Sequence, residues 1–286
     1  MYYALILLSV CMFGGTFVFN REYQKRSGND PRASFTFSLI SAAVGLPVLL
    51  IINGFRFEFT VFTLIMAVLN SLNGLAFTAC SLRAMGYINL SLFSLFSMLG
   101  GMALPFALGI IFFNESLTVA KIICFLLICV ALGVTVKMDG KNRGGAKYYI
   151  GVFVFNGLSG VISKIFEAFP AEKTSAAGYS VLSAASTVVI SAVALLIVMN
   201  KYTVNRLTAP SVGFCSGCGI LNRVANYILV LALAHVDASV QYPMVTGGVI
   251  IVSTAVCFLS KEKPSKRELI AVAVSFIGLL ALLLPI

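Results

Sequence analysis

Apolar residues run along this chain in blocks of about twenty, separated by short stretches that hold almost all of its charge. A helix of roughly 20 apolar residues crosses the hydrocarbon core of a bilayer. Such a block must be helical there, because lipid offers backbone N–H and C=O groups no partner outside their own segment. The blocks predict ten spans, at 2–20, 33–53, 59–81, 90–113, 118–137, 148–168, 176–199, 209–234, 238–260 and 267–285. The linkers are too short to hold a soluble domain. The expected fold is an all-α membrane protein of ten transmembrane helices, multi-pass in the cytoplasmic membrane of the cell.

Composition narrows the class further. Of 286 residues, 59% are hydrophobic and 10% charged, with a mean hydropathy of +1.01, a balance foreign to a water-soluble globule. The net charge of +10 would suggest nucleic acid in a soluble chain. Here the bases sit between spans, where anionic head groups and membrane topology account for them, so no nucleic-acid partner is expected. Seven cysteines lie within predicted spans, including the Cys215 and Cys218 pair. With one histidine, His235, and no second thiol pair, they read as small packing residues, and no metal or cofactor is expected.

The loops set an orientation. Those after spans 1, 3, 5, 7 and 9 carry fifteen bases: Arg21, Lys25, Arg26, Arg32; Arg83; Lys137, Lys141, Arg143, Lys147; Lys201, Arg206; and Lys261, Lys263, Lys266, Arg267. The alternate loops carry Arg56, Lys121 and Lys173. The positive-inside rule makes the richer side cytoplasmic, so both termini are expected to be extracytoplasmic. The first span starts at Tyr2 without a basic flank and runs into REYQKR rather than a small-residue cleavage site, so it is expected to stay in the mature protein.

The chain also echoes itself at an offset of 146–148 residues. Tyr2 and Tyr3 fall on Tyr148 and Tyr149, Gly14 on Gly160, Asn89 on Asp237, Ser91 on Ser239, Gly100 and Gly101 on Gly247 and Gly248, and Glu115 on Glu262. Two repeats of five spans result, 1–139 and 140–286. An odd number of spans turns the second repeat upside down, the arrangement of many secondary transporters, whose substrate sites lie near the midplane between halves. The four glycines are expected to permit close helix approach near the pseudo-twofold axis.

Three stretches carry a family resemblance: FGGTFVFNR at 13–21, FNESLTVAKIICFLLICVALGV at 113–134, and SKEKPSKRELIAVAVSFIGLLALLL at 260–284. Together they make the chain resemble the drug/metabolite transporter superfamily, in its ten-helix EamA-type members. Phe13 stands where that family often has Trp, and the charge bias puts the termini opposite to the side expected of many relatives. The resemblance implies transport by alternating access between inverted repeats. Lys164 is similar to the base that often follows the small-residue stretch of the family's sixth helix.

The junction acids Glu115 and Glu262 have a structural reading. They precede the fifth and tenth spans, where negative charge favours helix N-termini, and Ser265 with Glu268 has capping-box spacing. Deep polar residues are a different matter, because they usually face a cavity or one another. Arg223 lies about fourteen residues into the eighth span, too deep to reach either interface easily. Asn222 and Asn226 lie on one face beside it, with Tyr227 adjacent; Asn70 and Asn73 occupy the third span. Asn73 and Asn222 are 149 apart, so each half is expected to present an amide to a central cavity. Ser94, Gln241 and Tyr242 are further candidates, with Ser97 nearby and Pro243 loosening the ninth span. Arg223, joined by Lys164, suits a carboxylate or phosphate. The competing reading pairs Arg223 with Glu167.

Glu167 and Asp237 are the coupling candidates, since the first span lacks an acid. The function these features predict is a non-ATP secondary transporter of a small polar metabolite bearing a carboxylate or phosphate, acting as monomer or homodimer in the lipid bilayer. Alternatives are an exporter of drugs or cationic compounds in the same fold, a non-transporting receptor or subunit, and a membrane-embedded enzyme. The last lacks clustered catalytic residues, so no enzyme activity is expected.

Overall fold

The computed structural model describes the chain except residues 1, 89, 114–117, 121, 124–125, 128–129, 131–144, 202–206, 234–235, 237, 260–263 and 282–286. Among the described residues it is all-helical. The long helices are α1 (Tyr2–Ser27), α2 (Pro31–Ile52), α3 (Val61–Ala84), α4 (Leu90–Phe113), α5 (Ala146–Ala168), α6 (Ala176–Val198), α7 (Ala209–Leu233), α8 (Ala238–Leu259) and α9 (Lys266–Ala281). Five of them, α1, α2, α3, α5 and α6, are long and apolar enough to cross a membrane. The fifth predicted span lies largely outside the described residues.

Local chemistry sets where helices begin and end. Asp30 starts α2 by accepting from Ala33 N at 2.6 Å, and Pro31 follows at the first helical position, where its missing N–H costs nothing. Thr60 caps α3 through Thr63 N (3.2 Å), and Ser175 caps α6 through Gly178 N (3.1 Å). Gly28, at φ +85°, closes α1 in the left-handed conformation that only glycine adopts without strain.

The packing inverts the rule of a soluble protein. Leu7, Leu8, Ile65, Leu69, Leu72, Val189, Val193, Leu196 and Ile197 face outward, whereas Ser9, Ser34, Ser71, Ser91, Ser94, Ser183 and Ser253 are buried. Lipid solvates the first set, and small hydroxyl residues let helices approach and bond across the seams. The chain is an all-α membrane protein on these features.

Helices pair chiefly across the two halves of the sequence. The largest contacts join α1 to α7 and α8, α5 to α3 and α4, α2 to α6 and α7, α3 to α6, and α4 to α8. Ser9 donates to Ala225 O (3.3 Å) and Ser27 to Ser211 Oγ (3.1 Å), so α1 and α7 run antiparallel. The α4 and α5 helices run parallel, with Asn156 Nδ2 on Ser97 O (2.5 Å) and Gly160 against Pro105.

Glycines are needed where backbones touch. A Cβ on Gly100 would strike the Phe153 backbone of α5, and one on Gly219 the Ser41 backbone of α2. Gly101 packs on Asn156 of α5, Gly248 on Val10 of α1, and Gly247 is buried. The described contacts of Gly100, Gly101 and Gly248 are thus on the α4–α5 and α1–α8 seams, on either side of the central α4–α8 seam. That central seam is held instead by hydroxyls, Ser253 to Ser94 (2.5 Å) and Ser91 to Thr254 (3.2 Å).

Among the described residues, Arg32, Arg83 and Lys147 gather at one end of the molecule. Arg83 Nε donates to Asn29 O (3.4 Å), Arg32 Nη1 to Met199 O (2.9 Å), and Lys147 lies 5.1 Å over the Tyr148 ring. The opposite end holds Glu58, Thr60, Lys173 and Ser175.

Candidate functional site

The α7 helix carries Asn222, Arg223 and Asn226 within little more than one turn. Ile220 and Leu231 are exposed on one of its faces, and at about 100° per residue Asn222 and Asn226 lie roughly opposite. Asn226 is nonetheless exposed, beside the buried Ala225, and its Nδ2 donates to Asn222 O at 2.8 Å.

Arg223 follows on the α2 and α6 side. Its stem crosses α2 where Gly45 has no side chain; a Cβ there would lie 2.7 Å from Arg223 Cγ. Its Nη2 donates to Thr187 Oγ1 of α6 at 3.3 Å, its one hydrogen-bond partner among the described residues. Thr187 Oγ1 in turn lies 3.0 Å from Ser71 Oγ of α3 and 2.7 Å from Ser183 O. Ser71 Oγ also reaches Ser183 O at 3.0 Å and Ala67 O at 2.7 Å. A full positive charge therefore rests on a neutral hydroxyl chain linking α7, α6 and α3.

Tyr179, Ser183 and Thr187 share one face of α6 at four-residue spacing. Tyr179 is stacked on Phe166, with ring centroids 4.3 Å apart, and lies within electrostatic reach of both Arg223 and Glu167. Its hydroxyl stands beside those of Ser163 and Ser183 without the geometry of a hydrogen bond to either, and Ser183 Oγ is likewise buried without a partner. Two buried donors thus stand on the helix face that carries Arg223's partner.

Glu167 does not neutralise Arg223 as the competing sequence reading has it. Lys173 folds back over the C-terminus of α5, with Nζ 3.7 Å from Glu167 Oε2 and donating to the carbonyls of Phe166 (3.2 Å) and Glu167. A cation is favoured at helix carbonyl ends, and the acid follows it to the surface. Lys164 is half-buried one turn earlier.

The amides of α3 take another place. Asn73 is buried and donates to Phe155 O at 2.8 Å, and Asn70 Oδ1 accepts from Ser159 Oγ at 3.0 Å. Both join α3 to α5 instead of standing with Asn222. Ser94 belongs to the α4–α8 seam, and Tyr227 packs against Leu49, Val181 and Ala184. Gln241 and Tyr242 fall in the first turns of α8 with side chains outside the described residues, as are Asp237, Glu115 and Glu262. Cys215 and Cys218 are buried with Tyr23, Ala33 and Phe37, and no group of possible metal ligands occurs among the described residues.

Sequence reasoning missed Ser71, Tyr179, Ser183 and Thr187. Hydroxyl residues are common in membrane helices, so none is conspicuous alone. The spacing of four through 179, 183 and 187 was the available signal.

No family model matches this chain, and no curated protein matches it. Twenty-seven chains of solved structures do match. One, a crystal structure of a protein, superposes with a TM-score of 0.66 at 15% sequence identity, over 97% of this chain and 94% of that one. At that identity the likeness is one of fold.

Proposed function

We propose that this chain is a secondary transporter moving a small polar metabolite with a carboxylate or phosphate group by alternating access. Arg223 carries the reading. A guanidinium deep in a membrane helix, held by the neutral Thr187 hydroxyl and flanked along its helix by Asn222 and Asn226, suits a forked contact to an anionic group of the substrate. Tyr179 and Ser183 add donors, and Asn222 and Asn226 line the approach.

The transporter architecture is ten spans in two inverted repeats, as in the drug/metabolite transporters that the sequence resembles. Helix contacts support this, because they keep their pattern when the halves are exchanged: α1 meets α7 as α5 meets α3, and α1 meets α8 as α5 meets α4. Single residues repeat it too. Gly14 packs on Val252 and Gly160 on Pro105; Gly248 packs on Val10 and Gly101 on Asn156. Each pair maps onto the other at the 146–147 offset of the sequence repeat. The α4 and α5 helices also run in the same direction, as helices separated by one further crossing do. Two halves of equal build can rock about the site between them.

The test is a thermal-shift screen of carboxylates and phosphates on purified protein, followed by counterflow of any hit into proteoliposomes without ATP. Wild type is expected to bind and exchange the hit, and Arg223→Gln to do neither while staying monodisperse. Full binding and exchange by Arg223→Gln would move the site toward Asn70, Asn73 and Tyr242. Binding without exchange would favour a receptor.

A further inference from the structure

A cavity of about 240 Å³ opens at the basic end of the molecule, away from Arg223. Its walls come from the end of α1 (Tyr23, Ser27), the start of α2 (Asp30, Arg32, Thr36, Ile40 among others), Leu195 of α6 and Leu207 ahead of α7. Thr36 and Ile40 lie on the side of α2 that continues, one and two turns on, into the exposed Ala43 and Pro47. The cavity is therefore lateral: it faces the surrounding lipid at the level of the loops.

Its lining is sorted by depth. Arg32, Ser27, Thr36 and Leu207 stand near the loops, whereas Leu39, Ile40 and Leu195 form an apolar wall. Arg32 is fixed there by its bond to Met199 O, two residues before the exposed Lys201. The one acid, Asp30, is engaged by Ala33 N as the α2 cap. The volume falls below the roughly 300–1,000 Å³ of pockets that engulf a whole drug-sized ligand. It suits one head group whose chains remain in the bilayer.

We infer that this cavity binds the head group of an anionic phospholipid from the adjacent leaflet. Arg32 is the cation that meets the phosphate, and Thr36 supplies a hydroxyl. The acyl chains lie along Leu39, Ile40 and Leu195. Basic pockets between membrane helices at the end that carries the loop charges select anionic head groups in this way. The inference needs only a membrane-embedded chain, so it stands or falls apart from transport.

The experiment is thermal unfolding of the full-length protein in detergent with added phosphatidylglycerol, phosphatidylcholine or inorganic phosphate. Phosphatidylglycerol is expected to raise Tm by about 2–4 °C, and the other two to raise it far less. Arg32→Gln should lose most of that rise. Thr36→Trp, which fills the cavity while keeping Arg32, should lose it as well, and serves alone if Arg32→Gln does not fold. An equal rise with phosphatidylcholine, or full response in Thr36→Trp, would overturn the inference. An equal rise with inorganic phosphate that both variants lose would replace the lipid with a free anion.

Discussion

At the scale of single residues, Arg223 is governed by what it lacks among the described residues, an acid. Arg223→Lys keeps the charge and loses the fork, so affinity for the anionic substrate is expected to fall by about tenfold or more in a direct binding titration. Thr187→Val removes the guanidinium's described partner while filling the same volume. It is expected to cost about 1–3 kcal/mol in thermal unfolding, with saturating substrate recovering part of the loss. An unchanged Tm would mean that the Arg223–Thr187 bond contributes nothing to stability. Arg223 was legible in the sequence because a base in the middle of an apolar block is rare and costly. Its surroundings were not, since a threonine or serine in such a block carries no comparable penalty and gives no direction. The choice between Glu167 and a hydroxyl partner depended on where the α5–α6 turn sends Lys173, which is a matter of tertiary geometry.

At the scale of elements, glycines separate by what they face. Gly100 and Gly219 press on backbone, which cannot move aside, whereas Gly248 meets the tip of Val10, with Cγ1 2.8 Å from a built Cβ, and nothing lies within 4 Å of Gly74. Alanine at Gly219 or Gly100 is expected to cost several kcal/mol or prevent folding. Gly248→Ala should cost less, and Gly74→Ala should be neutral or stabilising by up to about 1 kcal/mol from helix propensity. A flat series across the four, measured by thermal unfolding, would mean the helix seams are looser than drawn. Among the described residues helices stand where nine of the ten blocks predict them, most to within a few residues, with α1 running on to Ser27; block length and helical rise set these positions together. Which glycines touch backbone was not legible in the sequence, because a crossing point depends on both helices. A second device sits at the turns: Glu58, from the α2–α3 loop, accepts from Ser175 N (2.6 Å) and Ser175 Oγ (2.8 Å) at the start of α6. Those two hydrogen bonds hold its carboxyl below the ordinary carboxylate range. A depressed pKa contributes stability above the unfolded-state value near about 4.3 and loses it as pH falls through the folded value. Wild type should therefore lose more stability than Glu58→Gln on acidification below about pH 4.3. Parallel pH profiles for the two would show that the brace contributes nothing.

At the scale of the whole molecule, contacts among the described residues put Arg32, Arg83 and Lys147 at one end and Glu58 at the other. Arg83 on Asn29 and on Tyr148, and Arg32 on Met199, tie segments at the basic end together, while Glu58 on Ser175 ties two loops at the other end. Helix packing alone is indifferent to which end faces the cytoplasm; translocation is not, because Lys and Arg in short loops are retained inside. Glu172 and Lys201 are both exposed, one at each end. In a background with the native cysteines replaced, Glu172→Cys is expected to react with a membrane-impermeant maleimide on intact cells, and Lys201→Cys only after permeabilisation. The reverse pattern would turn the molecule over in the membrane and put both termini inside. It would leave every helix contact as described and change only the side from which the Arg223 site is first reached.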